Sequence, residues 1–197
     1  MKQVNLNSRQ QGFSLIMVLA MMMIIALMVI AASHTSSTEV RMAANSADAR
    51  YAFSIAEKTL LFAETEAAKL NYHTVAGTYK IKTKAEIENT FPGTPGQCSA
   101  TDGKCAYDNR GGSSDKRTTP WTSADTWKNK SKEIDDAARI VEAANTAQRP
   151  RYIIEYLGEH TVDGANQRLM RITARSWGKN NKTSVMVQST IALPISS

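Results

Sequence analysis

The chain has 197 residues, 42% hydrophobic and 21% charged, with a formal net charge of +6. That length accommodates one domain plus a separate membrane element, and the composition excludes a low-complexity chain. A sequence pI near 9.4 permits binding to nucleic acid or anionic surfaces, and equally describes an ordinary solvated surface.

The first twelve residues, MKQVNLNSRQQG, read as a flexible leader whose only charged side chains are Lys2 and Arg9; without them the net charge falls from +6 to +4. From Phe13 to Ala32 follow twenty residues in which Ser14 is the only polar side chain and no charge occurs. At ~1.5 Å rise per residue, such a run spans a bilayer hydrocarbon core of ~30 Å. A soluble-core helix would carry polar residues on one face, which this run lacks. By the positive-inside rule the basic leader is expected to stay in the cytoplasm, with the remainder of the chain exported. Ala31-Ala32-Ser33 mimics a secretory cleavage site and keeps a removable signal as an alternative, although an apolar region of 7–15 residues is usual there.

The upstream edge of the run, Gly12-Phe13-Ser14-Leu15-Ile16, resembles the processing site of type IV prepilins. The resemblance implies a dedicated peptidase that cuts after Gly12 and methylates the new N-terminus at Phe13. The apolar run then stays attached, first as membrane anchor and later as a packing surface.

Neither Gly nor Pro occurs between Phe13 and Ala76, so nothing forces the chain out of a helix before Gly77. A helix of some sixty residues would be ~90 Å long. Its expected parts are a transmembrane half, residues 13–32, and an amphipathic half, residues 33–76, ahead of a globular head, residues 77–197. Val40, Ala44, Ala47, Tyr51, Ile55 and Phe62 form the expected docking stripe, with Arg41, Asp48, Glu64 and Lys69 outside it. Arg41 and Glu57 are too far apart to pair within one helix and read as surface residues.

Residues 77–127, rich in Gly, Pro, Ser, Thr and Asp, read as loops with at most short strands. Cys98 and Cys105 lie seven apart within them. In an exported chain a disulfide is the favoured reading; a metal site lacks neighbouring ligands to complete it. Residues 131–147 suggest a helix with Ser131 as N-cap, Ile134, Ala138 and Val141 on one face, and Glu133, Asp135 and Asp136 at its positive end. Three strands follow, RYIIEYLG to Gly158, RLMRITARSWG to Gly178 and TSVMVQSTIAL, with Met170, Ile172 and Ala174 alternating against Arg171, Thr173 and Arg175. A long helix across an antiparallel sheet makes an α+β fold of the type IV pilin kind.

The stretch STEVRMAANSADARYAFSIAEKTLLFAE resembles the PilX/PilK family of minor pilins. Glu39, Arg41, Met42, Ala43 and Asn45 match one family pattern, and Ala52, Ala56 and Glu57 a second; PRYIIEYLG and RITARSWGKNNKTSVMVQST match its C-terminal strands. Residues 77–149 carry no resemblance. Membership implies assembly into a type IV pilus with other minor pilins and the major pilin, by way of the prepilin peptidase and the inner-membrane assembly machinery. Major pilins usually hold Glu at the fifth mature position, where it offsets a neighbour's terminal amine; this chain holds Met17 there. A subunit with nothing above it has no use for that acid, which suits the tip or the start of assembly. The alternative is that minor pilins simply tolerate the substitution.

His34, His73 and His160 are isolated, and no H-E-x-x-H, G-x-S-x-G or P-loop spacing occurs, so no catalytic residue, cofactor or metal is expected. Direct binding to DNA or a host surface is the rival function. Trp121 and Trp127 beside Lys128, Lys130 and Lys132 could stack on bases and pair with phosphates, or could anchor a loop to the core.

Overall fold

The computed structural model describes residues 13–91, 97–99, 102–106, 119–134, 145–162 and 164–195. One helix, α1 (Phe13–Leu70), crosses the boundary between two compact units, residues 1–46 and 47–197. In the first unit the apolar side chains from Phe13 to Ile30 are all exposed, as an uncharged run must be when no partner or lipid surrounds it.

In the second unit α1 packs on a five-stranded sheet. The stripe it buries is Ala52, Ile55, Ala56, Thr59, Ala63 and Ala67. Tyr51 and Phe62 flank it half-buried, whereas Val40, Ala44 and Ala47, expected in the stripe, are exposed. Expected to lie outside it, Asp48 and Glu64 instead bond to the head: Glu64 accepts from the Ser189 hydroxyl at 2.6 Å, and Asp48 accepts from the Lys179 amide at 2.7 Å. Alanines let the helix backbone approach the sheet closely, and the Ser176 hydroxyl donates directly to the Ala52 carbonyl.

α1 stops at Leu70, seven residues before Gly77, because Asn71 is fully buried and its side chain takes other partners. Its Nδ2 donates to the Pro194 carbonyl at 2.9 Å, and its Oδ1 accepts from Arg168. Gly77 serves a different turn. Ala76 and Gly77, at φ of 48° and 82°, connect β1 (Tyr72–Val75) to β2 (Thr78–Ile81) in a hairpin. Next comes α2 (Lys84–Thr90), fixed by a capping box: the Thr83 amide donates to the Glu86 carboxylate at 2.7 Å, and the Glu86 amide donates to the Thr83 hydroxyl.

The main sheet comprises β3 (Lys104–Cys105), β4 (Lys132–Glu133), β5 (Arg151–Val162), β6 (Ala165–Trp177) and β7 (Ser184–Pro194). β5, β6 and β7 are antiparallel neighbours, as the alternation predicts; β3 (parallel) and β4 (antiparallel) both pair with β5. β5 runs past Gly158 to Val162 through a bulge between Tyr156 and Gly158, where Gly158 takes φ of 94°. The expected nine-residue connection therefore shortens to a turn at Gly164.

The helix predicted from Ser131 does not begin there. Ser131 closes a preceding π-helical turn (Thr126–Lys130), donating to the Trp127 carbonyl at 2.9 Å, while Lys132 and Glu133 pair with Tyr152 and Arg151. Strand pairing to β5 satisfies backbone groups that a helix start would leave open. Ala138 and Val141 lie outside the described residues.

Both sheet faces are covered. Tyr152, Ile154, Tyr156, Met170, Ile172 and Ala174 join Ile55, Ala63 and Ala67 of α1 and Ile87 and Phe91 in one core. On the opposite face Ile153 lies against the Cys98–Cys105 disulfide and Trp127. Arg168 fastens the first core at its edge: its guanidinium is 1% exposed and donates to Asn71, to the Lys82 carbonyl at 3.1 Å and to Glu159 at 2.7 Å. Removing one partner of such a buried cluster strands the rest. Arg168→Met is therefore expected to cost about 3–5 kcal/mol, read by urea unfolding of the full chain in detergent; a loss under about 1 kcal/mol would contradict this role.

Candidate functional site

No group of three or more His, Cys, Asp and Glu that could hold a metal occurs among the described residues. α1 offers an exposed apolar surface. Its segment from Phe13 is long and apolar enough to cross a membrane. Met17, 56% exposed, sits in this segment as one apolar side chain among others. Leu61, opposite the buried alanine stripe, is 67% exposed, and Phe53 is exposed on the adjoining side. Gly12 lies outside the described residues, and Phe13 is the first residue of α1.

Asp48 ties the helix to the β6–β7 turn at Lys179–Thr183. The Thr183 hydroxyl and the amides of Lys179 and Asn180 converge on its carboxylate and hold it below the usual carboxylate range, against a smaller opposing effect of burial. Gly178 leaves the room; a Cβ there would collide with the Asp48 carboxylate. Sequence reasoning missed this contact. The available signal was an acid on the helix paired with a glycine-containing turn far along the chain.

The disulfide region is built on tight backbone contacts. Cys98 and Cys105 are joined, and the Ser99 amide donates to the Lys104 carbonyl at 2.8 Å across the small loop. Closing so short a loop contributes about 2–3 kcal/mol by restricting the unfolded chain. Gly103, at φ of 68°, lies so close to β4 and β5 that a Cβ would stand 2.9 Å from Lys132 and from the Tyr152 carbonyl. Its carbonyl accepts from the Ile154 amide at 2.7 Å, pinning the loop to the sheet.

The two tryptophans serve this same anchoring. Trp127 is buried and donates through Nε1 to the Trp121 carbonyl at 2.7 Å. The Arg171 guanidinium covers the Trp121 ring at 3.9 Å, and Arg175 stands 5.7 Å from the Trp127 ring. Arg171 in turn forms a two-bond pair with buried Glu155, at 2.8 and 2.9 Å. Burial pushes the Glu155 carboxyl up, and Arg171 pulls it back. Lys130 pairs with Asp125 at 3.4 Å, while Lys128 and Lys132 are exposed. The rings thus meet the protein's own arginines, with Trp127 buried, Trp121 half-buried, and Lys128 and Lys132 open to solvent.

Residues 94–193 match the family described as type IV pilus assembly protein PilX, C-terminal, and residues 11–60 match the PilX N-terminal family. The chain belongs to the PilX family of type IV pilus assembly proteins. The C-terminal match also takes in residues 94–149, where the sequence alone offered no likeness. No curated protein and no solved structure matches.

The Asp48 contact gives stability a defined pH dependence. A folded-state value held low means the contribution is fully present above the unfolded carboxylate value of about 3.9 and is lost as pH falls through the lower folded one. Wild type is expected to melt above Asp48→Asn at pH 7, with the gap closing below about pH 4. A gap constant from pH 7 to pH 3 would show that the carboxylate's charge is not involved.

Proposed function

We propose that this PilX-family protein is a minor pilin held in the inner membrane by residues 13–32, with its head in the periplasm, until it enters a growing pilus. The observation that carries the reading is the uncharged run from Phe13 to Ala32 directly behind Gly12, in a chain with PilX-family matches on both sides of α1's end. A prepilin peptidase cuts after Gly12 and the new N-terminus is methylated on Phe13. α1 then exchanges lipid for the apolar helices of other minor pilins and the major pilin. Its role is structural, not catalytic.

Met17 supports a place at the tip or in the complex that starts polymerisation. A carboxylate within a membrane is costly without a partner, and a first subunit has no earlier amine to offer one. Intact-mass and N-terminal peptide spectrometry of the membrane-extracted protein should find N-methylated Phe13 as the first residue; a start at Ser33 or later would overturn the reading. Labelled protein on purified filaments should be confined to one end, and labelling along the shaft would remove the tip assignment while leaving the pilin reading intact.

A further inference from the structure

The two edges of the main sheet are finished differently. The outer side of β5 is occupied by β3 and β4. Among the described residues β7 pairs with β6 alone and forms the other edge. Exposed edges are ordinarily protected by charge, proline, bulges or shortness. β7 has none of these along most of its length: it runs eleven residues, Ser184–Pro194, in unbroken register with β6, with no charged side chain and no proline before Pro194.

Its backbone polarity can be assigned. The Gly178 amide donates to the Thr183 carbonyl, so that carbonyl faces β6. Alternation then aims the N–H and C=O groups of Ser184, Met186, Gln188, Thr190 and Ala192 away from β6. Pro194 falls in the same set, where a missing N–H costs β6 nothing. On the α1 side of the strand, Val187, Ile191 and Leu193 are half-buried at the rim of the main core.

We propose that β7 is a docking edge that receives an extended strand from a different polypeptide, adding a sixth strand to the sheet. A ladder of outward amides and carbonyls selects a β-strand over a helix, a lipid or a nucleic acid. The row Val187, Ile191 and Leu193 selects apolar side chains at alternate positions of that strand, and the lack of charge on β7 selects a segment uncharged along the pairing. A second copy would pair antiparallel through the same β7 edge, about a two-fold axis perpendicular to the sheet, and the test below separates that outcome from the proposed one.

The test uses the full-length chain in cells that assemble pili, with a photoreactive amino acid at Gln188 or at Thr190 and adducts mapped by mass spectrometry. The expected result is cross-linking to one segment of another protein, the adduct site moving two residues along that segment when the label moves from 188 to 190. Met186→Pro, which removes an outward donor, should lower the Gln188 adduct at least tenfold, and the milder Met186→Lys should do the same if the proline variant fails to accumulate. Absent adducts, adducts scattered without register, adducts to a second copy, or yields indifferent to both substitutions would each overturn the proposal. Because the N-terminal mass measurement tests membrane anchorage separately, failure of one leaves the other standing.

Discussion

Twenty consecutive residues without a charge cannot be left in water, and the behaviour of this protein follows from that constraint. Each large apolar side chain withdrawn from water is worth about 1.5–3 kcal/mol, and from Phe13 to Ile30 none is covered within the monomer. The run must find lipid or other apolar helices. Because α1 continues unbroken to Leu70, whatever holds its first part also holds the element on which the sheet is built. Attachment of that element depends on small side chains. Ala52, Ala56, Ala63 and Ala67 bring helix and sheet into close contact, and the surrounding polar ties, Ser176 to Ala52, Ser189 to Glu64 and Asp48 to the β6–β7 turn, all require that close approach.

The sequence made the apolar run and the three long strands legible because each is a strong local signal: an uninterrupted lack of charge, and a period of two. The disulfide was legible from compartment and proximity. What escaped was tertiary. The docking stripe was placed in part: Ile55 is buried and Tyr51 and Phe62 flank it, Val40, Ala44 and Ala47 are exposed, and Ala52, Ala56, Ala63 and Ala67 carry too little weight in a periodicity argument to be singled out. The end of α1 was misplaced because Asn71 is an unremarkable residue until Arg168 and Pro194 arrive from nearly a hundred residues or more away. The helix start expected at Ser131 was misplaced because the two residues of strand pairing to β5 are invisible to any local pattern, and 135–144 lie outside the described residues. One local signal was simply passed over, the Thr83-x-x-Glu86 capping box of α2.

On the outer face of the sheet, the tryptophans that suggest a ligand site in the sequence also fasten the fold. Two tryptophans among lysines suggest base stacking on sequence grounds. In the fold Trp127 is covered and Trp121 lies beneath Arg171, which is itself held by Glu155. The arginines that alternate along β6 thereby act as the inner surface of a loop clamped by the Cys98–Cys105 bridge. Among the described residues, the side of β7 away from β6, Leu61 and Phe53 on α1, and the Lys128 and Lys132 edge stay uncovered.

The central claim, that α1 keeps its apolar part in lipid while its alanine stripe holds the head, is open to direct measurement by labelling single cysteines in intact membranes with a water-soluble maleimide. The two native cysteines are already joined and will not react. The account predicts no labelling at Leu19, Met23 or Ile30 in the bilayer, none at Ala56 or Ala63 beneath the sheet, and full labelling at Val40 and Leu61. Labelling at positions 19 to 30 equal to that at Leu61, or loss of those positions from the membrane-bound protein, would contradict it.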